Sequence, residues 1–150
     1  MADTRQLCTF VLEDLLFGID VKHVQEVIRY QEMTAVPLAP SIIRGLINLR
    51  GQIVTAIDMR ARFGLGSRKD DELPMNVVVR TADGVVSMLV DEIGDVLEVE
   101  ERSFERTPET LAARFREHVR GVYKLEGQLL LLLDAERVAA VGEPVAKEAA

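Results

Sequence analysis

The fold is decided by residues 44–58, which read RGLINLRGQIVTAID. Two apolar runs in this stretch meet at the polar pair Arg50-Gly51, and the second run stops at Asp58. Because glycine tolerates the positive φ of a tight turn, the pattern predicts a β-hairpin that turns at Gly51. Asp58 occupies the position of a helix N-cap, so one or two helical turns are expected over residues 59–63.

The same frame returns at residues 120–134, which read RGVYKLEGQLLLLLD. The Arg-Gly start, the Gly-Gln pair and the closing aspartate lie at matching offsets. The preceding segments also agree, because residues 6–20 and 76–91 are both strand–turn–strand patterns that end on aspartate. This ordered match indicates an internal duplication, with two similar lobes that each contain two hairpins and a short terminal helix.

The division between the lobes is predicted from residues 64–74, a glycine-rich and then charged segment that is typical of a linker. The first lobe is expected to span roughly residues 14–66 and the second roughly residues 75–140. The first strand, residues 6–12, could complete the second lobe instead of the first, and this placement stays open at this point. Residues 141–150 are expected to form a flexible tail, and the whole chain is expected to be a single domain.

Two further elements are predicted on either side of the central hairpin. Asp20 is expected to cap a short helix, because four apolar residues after it fall at helical spacing: Val21, Val24, Val27 and Ile28. Residues 91–105 contain seven carboxylates with apolar residues between them, which indicates an acidic, exposed strand.

The two copies of the hairpin differ at the tip, where Arg50 in one copy corresponds to Glu126 in the other. The recurring glycines and aspartates serve turn and helix geometry in both copies, so the fold itself does not require a cation at the tip. Arg50 is therefore a candidate for a functional contact. The alternative is that both tips are simply solvated hairpin ends.

The composition is that of a globular protein, with 48% hydrophobic and 29% charged residues among 150. The net charge of −7 comes without a basic stripe, which argues against nucleic acid as a partner. The longest apolar run, residues 129–133, is far too short to insert into a membrane. No signal peptide is recognisable, and the single cysteine, Cys8, excludes an internal disulfide and fits a reducing cytoplasm.

No constellation of residues predicts catalysis or metal binding. The two histidines, His23 and His118, lie far apart and have no cysteine or second histidine at metal-ligand spacing. His118 is expected to be at the surface or half-buried, and Cys8 is expected to lie in the core. We therefore expect a protein without enzymatic activity, metal or cofactor, although sites assembled from distant residues stay open.

The chain resembles the CheW-like chemotaxis coupling proteins over roughly residues 5–140. The resemblance is carried by three blocks in uninterrupted order: residues 17–20 with 24–28, residues 43–51, and residues 90–97. The Asn-Leu-Arg-Gly segment within the second block is weak evidence alone, but the ordered set is specific. One departure is Thr55, where many members have proline, and a threonine fits a strand equally well.

The resemblance implies an all-β fold of two small SH3-like, five-stranded β-barrel lobes packed side by side, with short helices. It implies a non-enzymatic adaptor that couples chemoreceptor (methyl-accepting) tips to the regulatory domain of the CheA-like chemotaxis histidine kinase. The protein would then be cytoplasmic and associated with receptor arrays. The implied receptor-binding residues are Val24, Glu26, Val27, Arg50 and Gly51, while the kinase-binding residues stay unknown.

A second class of function stays open on the sequence, namely a β-barrel module that captures a peptide or small ligand in a groove between the lobes. Within the family, the chain could also be a piece of the kinase or of a coupling protein fused to a receiver domain. The start at Met1 and the length, which has no room for a receiver, favour a free-standing adaptor.

Overall fold

The computed structural model describes residues 3–69 and 72–140. Most of its regular secondary structure consists of strands, and its helices are short, as expected. The strands are β1 Thr4–Leu12, β2 Leu15–Asp20, β3 Val24–Ile28, β4 Ile43–Leu49, β5 Gln52–Asp58, β6 Met75–Thr81, β7 Gly84–Val90, β8 Glu92–Glu100, β9 Phe104–Glu105, β10 Val119–Leu125 and β11 Gln128–Leu133. The helices are α1 Met59–Arg62, α2 Ala113–Arg116 and α3 Ala135–Ala139, with single 3-10 turns at Val21–His23 and Glu101–Ser103.

The strands form two sheets, and each sheet is the framework of one lobe. The first lobe has five strands in the order β3-β6-β7-β5-β4, and the second has six in the order β8-β1-β2-β11-β10-β9. The predicted all-β fold with two lobes and short helices is therefore confirmed. The sixth strand of the second lobe is the two-residue β9, which pairs with β10.

The two copies exchange their first hairpins, so the predicted lobe boundaries, residues 14–66 and 75–140, are wrong. The β1–β2 hairpin lies in the second lobe, where β2 runs parallel to β11 and β1 pairs with β8. The β6–β7 hairpin lies in the first lobe, where β7 runs parallel to β5. Both hairpins have the same apolar pattern, so the pattern could not show which lobe each one would join.

This exchange also changes the meaning of residues 64–74, which connect α1 to β6 within the first lobe and are not the interlobe linker. The chain crosses between lobes at Val21–His23 and at Asp91 instead. Residues 70–71 and the predicted tail at residues 141–150 lie outside the described residues.

The helix predicted after Asp20 is also wrong beyond its first turn. Asp20 does act as a cap, because its Oδ1 accepts a hydrogen bond from the Lys22 amide at 3.0 Å. After His23, however, the chain becomes β3 and pairs with β6. The β-branched residues of this segment suit a strand, and the available partner strand overrides their helical spacing.

The caps predicted at the ends of the duplicated hairpins are confirmed. Asp58 accepts hydrogen bonds from the amides of Arg60 and Ala61, at 3.0 and 3.4 Å. Asp134 accepts one from the amide of Arg137 at 3.2 Å. Each aspartate therefore satisfies backbone donors at the start of a short helix.

The largest apolar core lies between the lobes, because it contains buried residues from both sheets and all three helices. At its centre the rings of Phe17 and Phe63 stack with centroids 5.3 Å apart, and Phe63 also meets Phe115 at 5.1 Å. Smaller cores fill the second lobe, around Leu7 and Tyr123, and the first lobe. The lobes are therefore held as one unit by shared apolar burial.

Candidate partner-binding surface

The β4–β5 hairpin ends in a tight turn that fixes the direction of Arg50. Arg50 and Gly51 both have positive φ, at 52° and 90°, as a type I′ turn requires. The Gly51 amide donates a hydrogen bond to Oδ1 of Asn48 at 2.9 Å. The predicted turn at Gly51 is therefore present, and a side chain of β4 holds it in place.

The structure brings Arg50 together with Glu26 of β3, although 24 positions separate them. Nη2 of Arg50 donates to Oε2 of Glu26 in an ion pair. The Arg50 side chain is 74% exposed, whereas that of Glu26 is 18% exposed. Glu26 therefore anchors one edge of a guanidinium whose other donors face solvent.

The other predicted site residues divide into exposed and half-buried ones. Val27, beside Glu26 on β3, is 37% exposed, and Gly51 lies at the exposed tip. Val24 is half-buried and packs against the interlobe core. The structure thus brings Glu26 of β3 and Arg50 of the hairpin into direct contact, and Val24 supports the surface from behind.

Sequence reasoning missed one residue of this region, Ile53, which is 60% exposed on β5 two positions after Gly51. The sequence did contain a signal for Ile53. An isoleucine this close to a polar hairpin tip is unexpected if the end of the hairpin is merely solvated. We refer to Glu26, Val27, Arg50, Gly51 and Ile53 as the Arg50 surface. It combines one accessible cation with apolar side chains, a composition that is common at protein interfaces.

The matching tip of the second lobe lacks this arrangement. Gly127 has a φ of 81°, but Glu126 is not among the described non-glycine residues with positive φ. Within residues 3–69 and 72–140, Glu126 has no ion-pair partner. The ion pair is therefore a feature of one copy and is not a requirement of the repeated fold.

A second charged cluster lies where the chain crosses from β7 to β8. Asp91 accepts hydrogen bonds from Arg60, at 2.7 and 2.9 Å, and from the Glu13 amide at 2.9 Å, and it pairs with Arg68 at 3.0 Å. Burial raises the pKa of Asp91, but the hydrogen bonds from Arg60 and Glu13 and the charges of Arg60 and Arg68 together hold it below its ordinary value. This cluster fastens the lobe crossing and contains no group poised for acid–base chemistry.

The prediction that His118 lies at the surface or half-buried is wrong, whereas Cys8 does pack against the core in which it was expected. His118 is buried, not half-buried or at the surface, because its ring packs edge-on against Phe63 in the interlobe core at 5.5 Å. Burial, together with the charge of Arg62, lowers the pKa of His118. Cys8 is half-buried against the same core, and burial followed by the charge of Asp20 raises the pKa of its thiol. A thiol with a raised pKa is a poor nucleophile.

Among residues 3–69 and 72–140, no group of three or more His, Cys, Asp or Glu side chains is arranged to hold a metal ion. In the same part of the chain, no helix has both the length and the apolar character to span a membrane.

Comparison with known proteins finds relatives of a single family. The model of the CheW-like domain family matches residues 6–143. The chain is 31% identical over 134 residues to the chemotaxis protein CheW of Rhizobium meliloti, covering 89% of this chain and 86% of the relative. It is also 31% identical over 134 residues to the chemotaxis protein CheW of Klebsiella aerogenes, covering 89% and 81%.

A solved structure shows the same architecture. The crystal structure of the scaffolding protein TtCheW from Thermoanaerobacter tengcongensis superimposes with a TM-score of 0.82 at 28% sequence identity. The match covers 94% of each chain. Two lobes with short helices are therefore the fold of a known scaffolding protein as well as of this chain.

Proposed function

The chain belongs to the CheW-like family, and on that premise we propose that it is an adaptor of chemotaxis that joins chemoreceptor tips to a histidine kinase. It acts without a catalytic step and without a cofactor. The receptor tip binds the Arg50 surface, and the regulatory domain of a CheA-like kinase binds elsewhere on the protein. An adaptor needs both partners at once, so the two surfaces must be separate.

The observation that carries this proposal is the ion pair between Arg50 and Glu26. Arg50 itself is held at the hairpin turn with a positive φ. Arginine has five N–H donors in a rigid fork, and the bond to Glu26 occupies only one edge of it. The exposed donors can bind a carboxylate of the receptor in a bidentate geometry. Val27 and Ile53 add exposed apolar area on β3, the strand of Glu26, and on β5, the strand that follows the turn.

The interlobe core supports the transmission of a signal without chemistry. Because the lobes share one core, a partner on the first lobe and a partner on the second lobe are held at a fixed separation. A change in receptor conformation then alters the relative free energies of the bound states, and the kinase responds to that difference. As part of this proposal, the protein works in the cytoplasm, at receptor arrays beside the membrane.

The second candidate function, a ligand module with a groove between the lobes, has less support. The space between the lobes is filled by the stacked rings of Phe17 and Phe63 and by the other buried residues of that core. A ligand entering there would have to displace close-packed side chains, which is costly.

The test is to measure the affinity of the full chain for a receptor signalling-tip fragment and for the kinase regulatory domain by calorimetry. Arg50→Glu is the test variant, and Glu126→Arg at the matching tip is its control. We expect Arg50→Glu to weaken receptor binding by about 2–5 kcal/mol if Arg50 pairs with a buried carboxylate, and by less at a rim. Kinase binding should stay unchanged, and Glu126→Arg should bind both partners normally. The melting temperature of Arg50→Glu should fall only slightly, because the ion pair that it loses with Glu26 is exposed on the Arg50 side.

Two results would contradict the proposal. No change in either affinity would show that Arg50 is merely a solvated tip. An equal loss of both affinities with a lowered melting temperature would show that Arg50 stabilises the fold instead.

A further inference from the structure

The second lobe contains a cavity of about 220 Å³ that the adaptor function does not use. It is lined by Arg5, Glu101, Phe104, Arg120 and Tyr123. A neighbouring cavity of about 270 Å³ shares Arg5 and Arg120 with it. All five lining residues belong to the second lobe, whereas the Arg50 surface belongs to the first.

Tyr123 brings its hydroxyl to the wall of this cavity. Its side chain is only 1% exposed and belongs to the second-lobe core. Its hydroxyl makes no hydrogen bond to the other described residues, and it is not one of their fully buried unpaired polar atoms, so a ligand in the cavity can reach it. Burial raises the pKa of Tyr123, so the hydroxyl remains a hydrogen-bond donor at neutral pH.

The two arginines that line the cavity are in different states. Arg5 is neutralised locally, because it pairs with Asp20 at 3.4 Å and with Glu101 at 3.1 Å. Arg120 is exposed, and no carboxylate lies within ion-pair distance of it in residues 3–69 or 72–140. The cavity therefore offers one guanidinium without an ion-pair partner beside one hydroxyl that makes no hydrogen bond to the described residues.

The duplicated copy shows that this charge could have been paired within the fold. Arg44, which matches Arg120, forms an ion pair with Asp58 at 3.5 Å. In the second lobe the matching aspartate, Asp134, pairs with Arg137 at 3.7 Å instead. The second copy thus uses a different pairing and leaves Arg120 accessible at the mouth of a cavity.

We propose that this cavity binds a monocarboxylate that is attached to an apolar or aromatic group. Arg120 and the hydroxyl of Tyr123 donate to the carboxylate. The ring of Phe104, which is partly exposed and lies edge-on to Tyr123 at 5.3 Å, forms the apolar wall. The volume suits a single side chain or terminal residue and is below the range of drug-sized ligand sites.

The charges favour a monoanion over phosphate. Around the hydroxyl of Tyr123 the two positive charges of Arg5 and Arg120 equal in number the two negative charges of Asp20 and Glu101, and among the described residues Arg120 is the one of the four without an ion-pair partner. A dianion would add twice the negative charge of a monoanion to this neutral set of side chains, close to two carboxylates, and like charges at this range repel. The ligand is therefore a carboxylate that is either a free small molecule or the C-terminal residue of a peptide.

The test is an NMR titration of the full chain with four probes: benzoate, N-acetylphenylalanine, N-acetylphenylalanine amide and inorganic phosphate. Saturable shifts of the amides around Phe104 and Tyr123 are expected with the two carboxylates and not with the amide. Tighter binding of N-acetylphenylalanine than of benzoate would identify a peptide terminus as the ligand, and the reverse order would identify a free small carboxylate. Tighter binding of phosphate than of benzoate would overturn the proposal.

Three variants locate the site. Arg120→Gln should weaken binding of benzoate by at least about tenfold, because a hydrogen-bonded charge is lost. Tyr123→Phe should weaken it severalfold, and Arg44→Gln, the matched control in the first lobe, should leave it unchanged. Arg120 is exposed, so its variant should fold even if Tyr123→Phe does not. Unchanged affinity in Arg120→Gln, or no saturable binding by the wild type, would refute the site.

Discussion

The two hairpin tips differ in backbone geometry as well as in sequence. At the first tip Arg50 and Gly51 both have positive φ, whereas Gly127 alone among the residues of the second tip has it. A non-glycine residue in the left-handed region costs about 1–2 kcal/mol, and Asn48 offsets part of this by binding the turn. The backbone conformation that fixes the direction of Arg50 therefore destabilises the first copy. A merely solvated tip would not require this strain.

The comparison extends to the aspartates at the two lobe crossings, where we expect the largest effect. Asp91→Asn should destabilise the protein by about 3 kcal/mol, because the arginines Arg60 and Arg68, both largely buried, would lose their carboxylate. Asp20→Asn at the other crossing should cost about 1 kcal/mol, because its partners Arg5 and Lys22 are more exposed. Urea unfolding of both variants measures the two losses of stability. Equal losses would show that the two crossings are fastened equally strongly and would contradict this prediction.

The ion pairs of Asp91 also predict how the stability of the protein depends on pH. The pKa of Asp91 is lowered in the folded protein, so its carboxylate contributes stability above the ordinary aspartate pKa of about 4. That contribution is lost as the pH falls through the folded pKa. The difference in the free energy of unfolding between wild type and Asp91→Asn should therefore become smaller as the pH is lowered. A difference that grows would contradict a lowered pKa of Asp91.

The next largest effect concerns the bulge glycines, where the two copies should behave alike. Gly45 and Gly121 lie at matching register shifts, against short segments that pair with β4 and β10. A Cβ atom at Gly45 would lie 2.7 Å from the carbonyl oxygen of Thr34, and one at Gly121 would lie 2.6 Å from that of Glu105.

Alanine at either position should destabilise by about 1–3 kcal/mol, because backbone atoms must move. Gly66→Ala is the control, since nothing lies within 4 Å of its Cβ position and its φ is not positive. Differential scanning calorimetry of the three variants is the measurement. A control that loses as much as the test variants would show that steric contact is not the cause.

These glycines show what the sequence could and could not predict. The repeated Arg-Gly, Gly-Gln and Asp positions predicted hairpins, turns and caps, because each has a local backbone cause that a short stretch contains. The exchange of hairpins between lobes could not be predicted, since β2 and β7 have similar apolar patterns and only long-range pairing tells them apart. The pair of Arg50 and Glu26 was missed for the same reason, because it depends on β3 being a strand.

A smaller effect is expected at the turn glycines. Gly51→Ala and Gly127→Ala should each destabilise by about 1–2 kcal/mol, because φ is 90° and 81° at these positions and both have open space around them. Since strain alone is at work, the two losses should be similar despite the different neighbours. Chemical denaturation gives the values, and a loss at only one tip would mean that the turns differ in more than their first residue.

The smallest effect tests whether the first tip is rigid for a purpose. Asn48→Ala removes the side chain that binds the Gly51 amide, whereas Lys124→Ala at the matching position removes only an exposed ion pair with Glu105. We expect a loss of about 0.5–1 kcal/mol of stability in the first variant and almost none in the second. Receptor-fragment affinity should fall a few-fold in Asn48→Ala alone, because Arg50 must then be ordered on binding. Calorimetric titration of both variants decides the point. If stability falls while receptor affinity is retained, the turn serves the fold only, and the different tip geometry has no part in recognition.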